Sequence, residues 1–281
     1  MTLDELKQKN YLFDSHAHLG FPGYKKSTQD LINDAKDSNV EEVFDVAVDI
    51  ESSKDNIERA KKYESSKALV GIDPEALIPG SELYKKVDNI DVWIEEQVST
   101  LDDLITTNKD FVIGIGETGI DLHHLRVSGA GEEEINESKR IQTILFEKQL
   151  QLAEKYNLFV SIHSRGAESY CLDVVKKFNV KAIFHSFTGD FNTAQAILDH
   201  GCALGVNGIV TFKNSHDLKL IYKTLIGKLP EGEISPAFFY KKGIFFETDA
   251  PFLAPDGKRG EINEPANIKV IFDKFVEELR S

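Results

Sequence analysis

Short apolar runs alternate along this chain with longer stretches in which apolar residues recur every three or four positions. The runs at 11–15, 43–48, 68–72, 111–116, 158–162, 182–184, 202–206 and 243–247 are too short for helices and predict buried strands. Between them the helical period predicts helices at 28–37, 54–63, 92–107, 138–156, 170–178, 193–200 and 268–279. Ser27 or Thr28 caps the first of these, Trp93, Val98, Leu101 and Ile105 make one stripe, and Gly201 ends the helix before the seventh strand. Eight strands alternating with helices predict an α/β fold, a closed parallel (β/α)8 TIM barrel rather than an open doubly wound sheet. Longer stretches at 73–89 and 230–241 lengthen single units without making a second domain, so 1–281 is expected to be one domain.

Side chains able to hold a metal stand at the carboxyl ends of several predicted strands. The first strand ends in Asp14-Ser15-His16-Ala17-His18, and in extended chain residues i and i+2 share a face, so His16 and His18 point together. Glu117 follows the fourth strand, His163 the fifth, His185 the sixth and Asp249 the eighth. Any one of them alone is ordinary. Barrel closure would bring all six to the rim where such folds carry their chemistry. Four imidazoles, one Glu and one Asp suit two divalent ions (Mg²⁺, Mn²⁺ or Zn²⁺), with Glu117 between them.

Composition narrows the setting. The apolar fraction of 41% is that of a chain with a real core, and Cys171 and Cys202 are too few for a disulfide framework. No apolar run approaches the ~18 residues of a membrane span, and the first ten residues lack an apolar signal core. A cytoplasmic protein with no membrane partner is expected. A net charge of −14 argues against gripping long duplexes by phosphate neutralisation. A pocket with two divalent ions against Glu117 and Asp249 would be locally positive, and would attract phosphate all the same.

Other signals point elsewhere or nowhere. Gly114-Ile115-Gly116-Glu117-Thr118-Gly119 has the form of a dinucleotide fingerprint, but the following residues 120–132 lack the helical period that fingerprint needs. G-x-S-x-G, H-E-x-x-H and P-loop signatures do not occur. Among basic and imidazole side chains beyond the strand ends, Arg165, Arg259, Lys213 and His123 are candidates for substrate binding. Arg165 leads because it lies two residues past His163 and can fork onto a phosphate.

These segments resemble the TatD family of metal-dependent deoxyribonucleases, within the amidohydrolase-like barrels. The resemblance is carried by Phe13-Asp14-Ser15-His16-Ala17-His18, Ile115-Gly116-Glu117-Thr118-Gly119, Ile162-His163-Ser164-Arg165, His185-Ser186-Phe187-Thr188-Gly189 and Glu247-Thr248-Asp249-Ala250-Pro251. It implies hydrolysis of DNA phosphodiesters, as a 3′–5′ exodeoxyribonuclease on short or single-stranded ends. It also implies that His16, His18, Glu117 and Asp249 hold one metal, that Glu117, His163 and His185 hold the other, and that Asp249 accepts the proton of the attacking water. Asp73-Pro74 stands where the family usually has His-Pro, and Leu122-His123-His124 where an aromatic is usual. The same site could also hydrolyse an amide, ester or lactone, and a non-catalytic ligand-binding barrel is the third alternative.

Overall fold

Eight parallel strands pair in chain order: β1 (Leu12–Ala17), β2 (Val40–Val46), β3 (Ser66–Val70), β4 (Val112–Gly119), β5 (Phe159–His163), β6 (Ala182–Phe184), β7 (Ala203–Val206) and β8 (Ile244–Phe246). The computed structural model describes residues 1–78 and 82–281; residues 79–81, inside the stretch 73–89 read as an insertion, lie outside the described residues. The barrel closes just past its shortest strands. Ala17 bridges Ala250 in parallel, Asp249 N–H donates to the His16 carbonyl at 2.9 Å, and His18 N–H donates to the Ala250 carbonyl at 2.8 Å. That seam joins the exits of β1 and β8, so it also sets two candidate ligand loops side by side.

Inside the barrel, aromatic rings fill the floor. Phe44 of β2 and Phe159 of β5 lie 5.9 Å apart between ring centres, although two strands separate them around the sheet, so the contact crosses the interior. Phe13 stacks on Phe44 at 4.9 Å, and Tyr240 stacks on Phe245 at 5.0 Å. Tyr240 belongs to the helix Pro236–Tyr240, within the stretch 230–241 read as an insertion. It and Phe239 are fully buried, so this segment plugs the barrel as well as lengthening a unit.

Helix 28–37 appears as predicted, with Ser27 accepting from Asp30 N–H in a reciprocal capping box. Other boundaries move for local reasons. The helix Ile50–Lys62 starts earlier than its apolar period suggests, because Asp49 and Ser52 form a second capping box. Strand β4 runs three residues past the predicted end, through Glu117 to Gly119. Five α-helices among the described residues are additional to those predicted: Leu3–Leu6, Glu82–Lys86, His123–Ser128, His216–Ile226 and Pro236–Tyr240. His216–Ile226 buries Tyr222 and Ile226, but Leu220 on the same helix is largely exposed, which blurs its stripe. His123–Ser128, in the stretch lacking a period, is a six-residue helix whose first N–H groups donate to Asp121 Oδ1 and whose end is closed by Gly129. The dinucleotide fingerprint stays rejected, since its last glycine lies inside a strand. Among the described residues, no helix is long and apolar enough to cross a membrane.

Gly119 tests how tightly this end of the barrel is packed. Its φ is +141°, and a Cβ there would lie 1.9 Å from the His163 carbonyl oxygen. Gly119→Ala is expected to cost ~2–4 kcal/mol, from overpacking plus left-handed strain. A urea titration checks this, and an unchanged midpoint would show that β4 and β5 are not held this closely.

Candidate metal centre

Glu117 leaves β4 with its carboxylate buried between two sets of imidazoles. Its Oε2 faces one set, 3.5 Å from His16 Nε2 and 3.7 Å from His18 Nε2. Asp249 Oδ1 completes that group, 3.9 Å from His16 Nε2 and 3.7 Å from His18 Nε2. The other oxygen, Oε1, lies 2.8 Å from His163 Nδ1 and 3.0 Å from His185 Nε2. Donors bound at about 2.0–2.2 Å to one ion sit roughly 3–3.5 Å from each other; the His163–His185 side is close to that spacing and the His16–His18–Asp249 side, at 3.5–3.9 Å, is slightly wider. His16 Nε2 is buried and has no hydrogen-bond partner, which is costly for a ring nitrogen unless a cation takes its lone pair. The donor set fits divalent metal, with one carboxylate oxygen directed to each group.

The imidazoles are held by their far nitrogens. His18 Nδ1–H donates to the Val46 carbonyl at 2.9 Å, which leaves Nε2 as the free donor. His16 Nδ1 lies 2.9 Å from Ser161 Oγ on β5. His163 Nε2 lies 2.9 Å from Asp121 Oδ2, while Asp121 Oδ1 caps the helix that follows. Behind His185, the fully buried Glu247 places Oε1 3.5 Å from Nδ1 and accepts the Ser186 N–H. Gly205 makes room for it: a Cβ there would come within 2.3 Å of Glu247 Oε2. Asp249 and Ser186 hold φ values of 56° and 53°, a left-handed strain that two non-glycine residues bear beside the donor groups.

Burial opposes charge on all these groups, and their mutual attraction decides the outcome. Desolvation pushes the Glu117 carboxyl up, but His185 and His16 outweigh it and hold it well below the usual range. Burial likewise opposes protonation of His18, yet Asp249 and Glu117 bring its pKa to about 9. His163 reaches about 10 through Asp121 and Glu117, again against burial, and His185 is raised well above its ordinary value. His16 goes the other way, lowered by burial and by neighbouring His185. Without metal, His18, His163 and His185 are therefore driven toward the protonated form beside these carboxylates.

All six predicted ligands meet at this rim, which opens into a cavity of about 740 Å³. Arg165 lines the cavity. His123, Lys213 and Arg259 do not: His124 lines it in place of His123, Lys213 is exposed outside it, and the Arg259 guanidinium packs 5.1 Å over the Phe212 ring. The expected local charge is corrected too. Seven carboxylates line the cavity against two arginines, Arg59 and Arg165, so counting only Glu117 and Asp249 understated its acidity. Asp45 among them pairs with Arg59 at 2.6 Å, and burial together with Glu117 raises Asp73 to about 7. Sequence reasoning missed Asp121, Glu247 and Arg59. Glu247 had a signal, since it precedes Asp249 by two as His16 precedes His18. Arg59 had none, because it enters from the last turn of a helix rather than from a strand end.

A parallel barrel with imidazoles and carboxylates converging at its carboxyl rim defines a class, the metal-dependent hydrolases. Within it the chain belongs to the family described as TatD related DNase, whose model matches residues 13–281. It is 30% identical over 269 residues to YabD of Bacillus subtilis, an uncharacterized metal-dependent hydrolase, covering 95% of this chain and 90% of YabD. A Buchnera aphidicola protein of the same description is 28% identical, covering 91% of this chain and 87% of its own length. Among solved structures, the TatD homolog YjjV of Escherichia coli superposes with a TM-score of 0.75 at 23% identity, covering 95% of this chain and 90% of YjjV.

Metal loading of this cluster must displace protons. At pH 8 the metal-free protein carries protons on His18 and His163, whose pKa values are about 9 and about 10. Both rings must be neutral to ligate, so affinity should rise between pH 6 and pH 9 and binding should release protons. Calorimetry in buffers of different ionisation enthalpy measures that release; a heat independent of buffer would contradict this assignment.

Proposed function

We propose that this protein is a two-metal deoxyribonuclease acting on short or single-stranded DNA ends, as a 3′–5′ exonuclease. The observation that carries this is Glu117, which directs one oxygen to each of two donor groups. His16, His18, Asp249 and Glu117 would hold one divalent ion, and Glu117, His163 and His185 the other. Divalent metal held there would supply Lewis-acid polarisation of a phosphoryl oxygen and a lowered pKa for a bound water. Asp249 would accept that water's proton. The Val46 carbonyl and the Asp121 carboxylate keep the His18 and His163 rings from turning. Arg165 takes a non-bridging phosphate oxygen, a geometry a guanidinium suits better than an ammonium.

The acidic lining shapes substrate choice. Carboxylates around the cavity repel a polyanion unless cations are bound, so metal serves attraction as well as chemistry. The same lining favours a short or frayed strand over a long duplex. It also gives a second reading its footing: an uncharged amide, ester or lactone would meet less repulsion, and the same activated water would serve it. Reduced, buried Cys171 and Cys202 accord with a cytoplasmic setting.

Chelator-stripped protein is expected to lose diesterase activity on a short single-stranded oligonucleotide, and Mg²⁺, Mn²⁺ or Zn²⁺ to restore it. Activity that survives complete metal removal would end the two-metal account. The restored enzyme, offered oligonucleotide, amide and lactone panels, should turn over the oligonucleotide; turnover confined to amides or lactones would establish the rival. Arg165→Ala should lower kcat/KM on the oligonucleotide by roughly 10- to 100-fold, the loss of a charge-assisted hydrogen bond. An unchanged value would remove Arg165 from the phosphate site.

A further inference from the structure

Three of the eight exposed large apolar side chains among the described residues, Phe21, Val48 and Phe252, line the one cavity that holds the metal centre. Scattered exposed apolar residues need no explanation, but a group gathered around a polar site does. The two phenylalanines are 40% and 48% exposed, and their rings meet edge to face with centres 5.3 Å apart. Each stands three residues beyond a metal-donor residue. Phe21 N–H donates to the His18 carbonyl at 3.2 Å, and Phe252 N–H donates to the Asp249 carbonyl at 2.8 Å. Two turns thus fix the rings to the two loops that close the barrel, and the Phe252 ring centre lies 6.2 Å from that of His18.

The surroundings hold this pair in place. Asn263 Nδ2 donates to the Phe252 carbonyl at 2.7 Å and to the Thr248 carbonyl at 2.9 Å, tying the second loop to the strand exit. Gly23 lies under the Phe21 ring: a Cβ there would sit 2.7 Å from it. Arg165, which follows β5, lines the same cavity as the aromatic pair and the donor groups. An anionic group at the centre with a flat apolar group beside it is the chemistry of a nucleotide.

We propose that Phe21 and Phe252 form a shelf for the nucleobase next to the scissile phosphate, stacking any base without reading its edges. This rests on the nuclease reading and adds to it the residues that distinguish a nucleotide from a bare phosphodiester. A base pair inside a duplex has both faces covered by its neighbours, so the shelf takes a base at a strand end or in a single strand. Stacking on an aromatic side chain is worth about tenfold per base, toward the lower end of the known range.

The test uses the metal-loaded protein and two oligonucleotides, one intact and one with a tetrahydrofuran abasic residue beside the scissile bond. Wild type should favour the intact strand about tenfold in kcat/KM. Phe252→Leu and Phe21→Leu should each bring that ratio toward one, and Phe252→Trp should keep it. A ratio near one in wild type, or one unchanged in both leucine variants, would overturn the shelf. Binding supplies a second readout that needs no hydrolysis. Deoxyadenosine 5′-monophosphate should bind about tenfold more tightly than 2-deoxyribose 5-phosphate, and the double leucine variant should lose the difference. Equal affinities in wild type would overturn the proposal. Base-dependent binding without DNA cleavage would uphold the shelf and defeat the nuclease reading.

Discussion

A carboxylate buried at the centre of a barrel needs positive charge close by, and most of what surrounds Glu117 answers that need. It sits at the end of the fourth strand, where the sheet continues beyond it and water cannot solvate it. Four imidazoles surround it, and three of them are driven toward the protonated form by its charge and that of its neighbours. Metal ions would replace those protons with a larger charge at the same place. Stability of the rim and readiness for metal are then one property, because a group of partly protonated ligands is a cation site already paired with its anions.

The layers behind the donors follow from the same demand. A ring that must present one nitrogen to a cation needs its other nitrogen engaged, and Val46, Ser161 and Asp121 engage three of the four. Glu247 sits against His185 at a longer distance, in space left by Gly205. The seam between β1 and β8 brings the His16–His18 loop against the Asp249 loop, so closing the barrel and assembling the donors are one event. The aromatic floor beneath allows the polar rim above to be spent on function, since Phe13, Phe44, Phe159 and Phe245 supply the apolar packing.

What could be read from the chain was what period and strand position encode. Eight apolar runs predict the barrel, and a residue at a strand's end has its place set by topology, so the gathering of the six candidate donors at one rim was legible. What could not be read depends on geometry away from strand ends. Arg59 reaches the cavity from the last turn of a helix, and the short helix at His123–Ser128 turns His124 rather than His123 toward it. The acidity of the lining was misjudged because Asp55, Glu75 and Glu168 lie in helices or helical turns, away from the strand ends that were read for donors. Phe21 and Phe252 look like ordinary loop phenylalanines until the turns that tie them to His18 and Asp249 are seen.

Counting metal is the most direct examination of the claim that one carboxylate serves two cations. Protein saturated with Mn²⁺ and freed of excess, analysed by elemental mass spectrometry, should hold two ions per chain, and His163→Ala should hold one. A wild-type count of one, or a count unchanged when His163 is removed, would contradict the arrangement around Glu117.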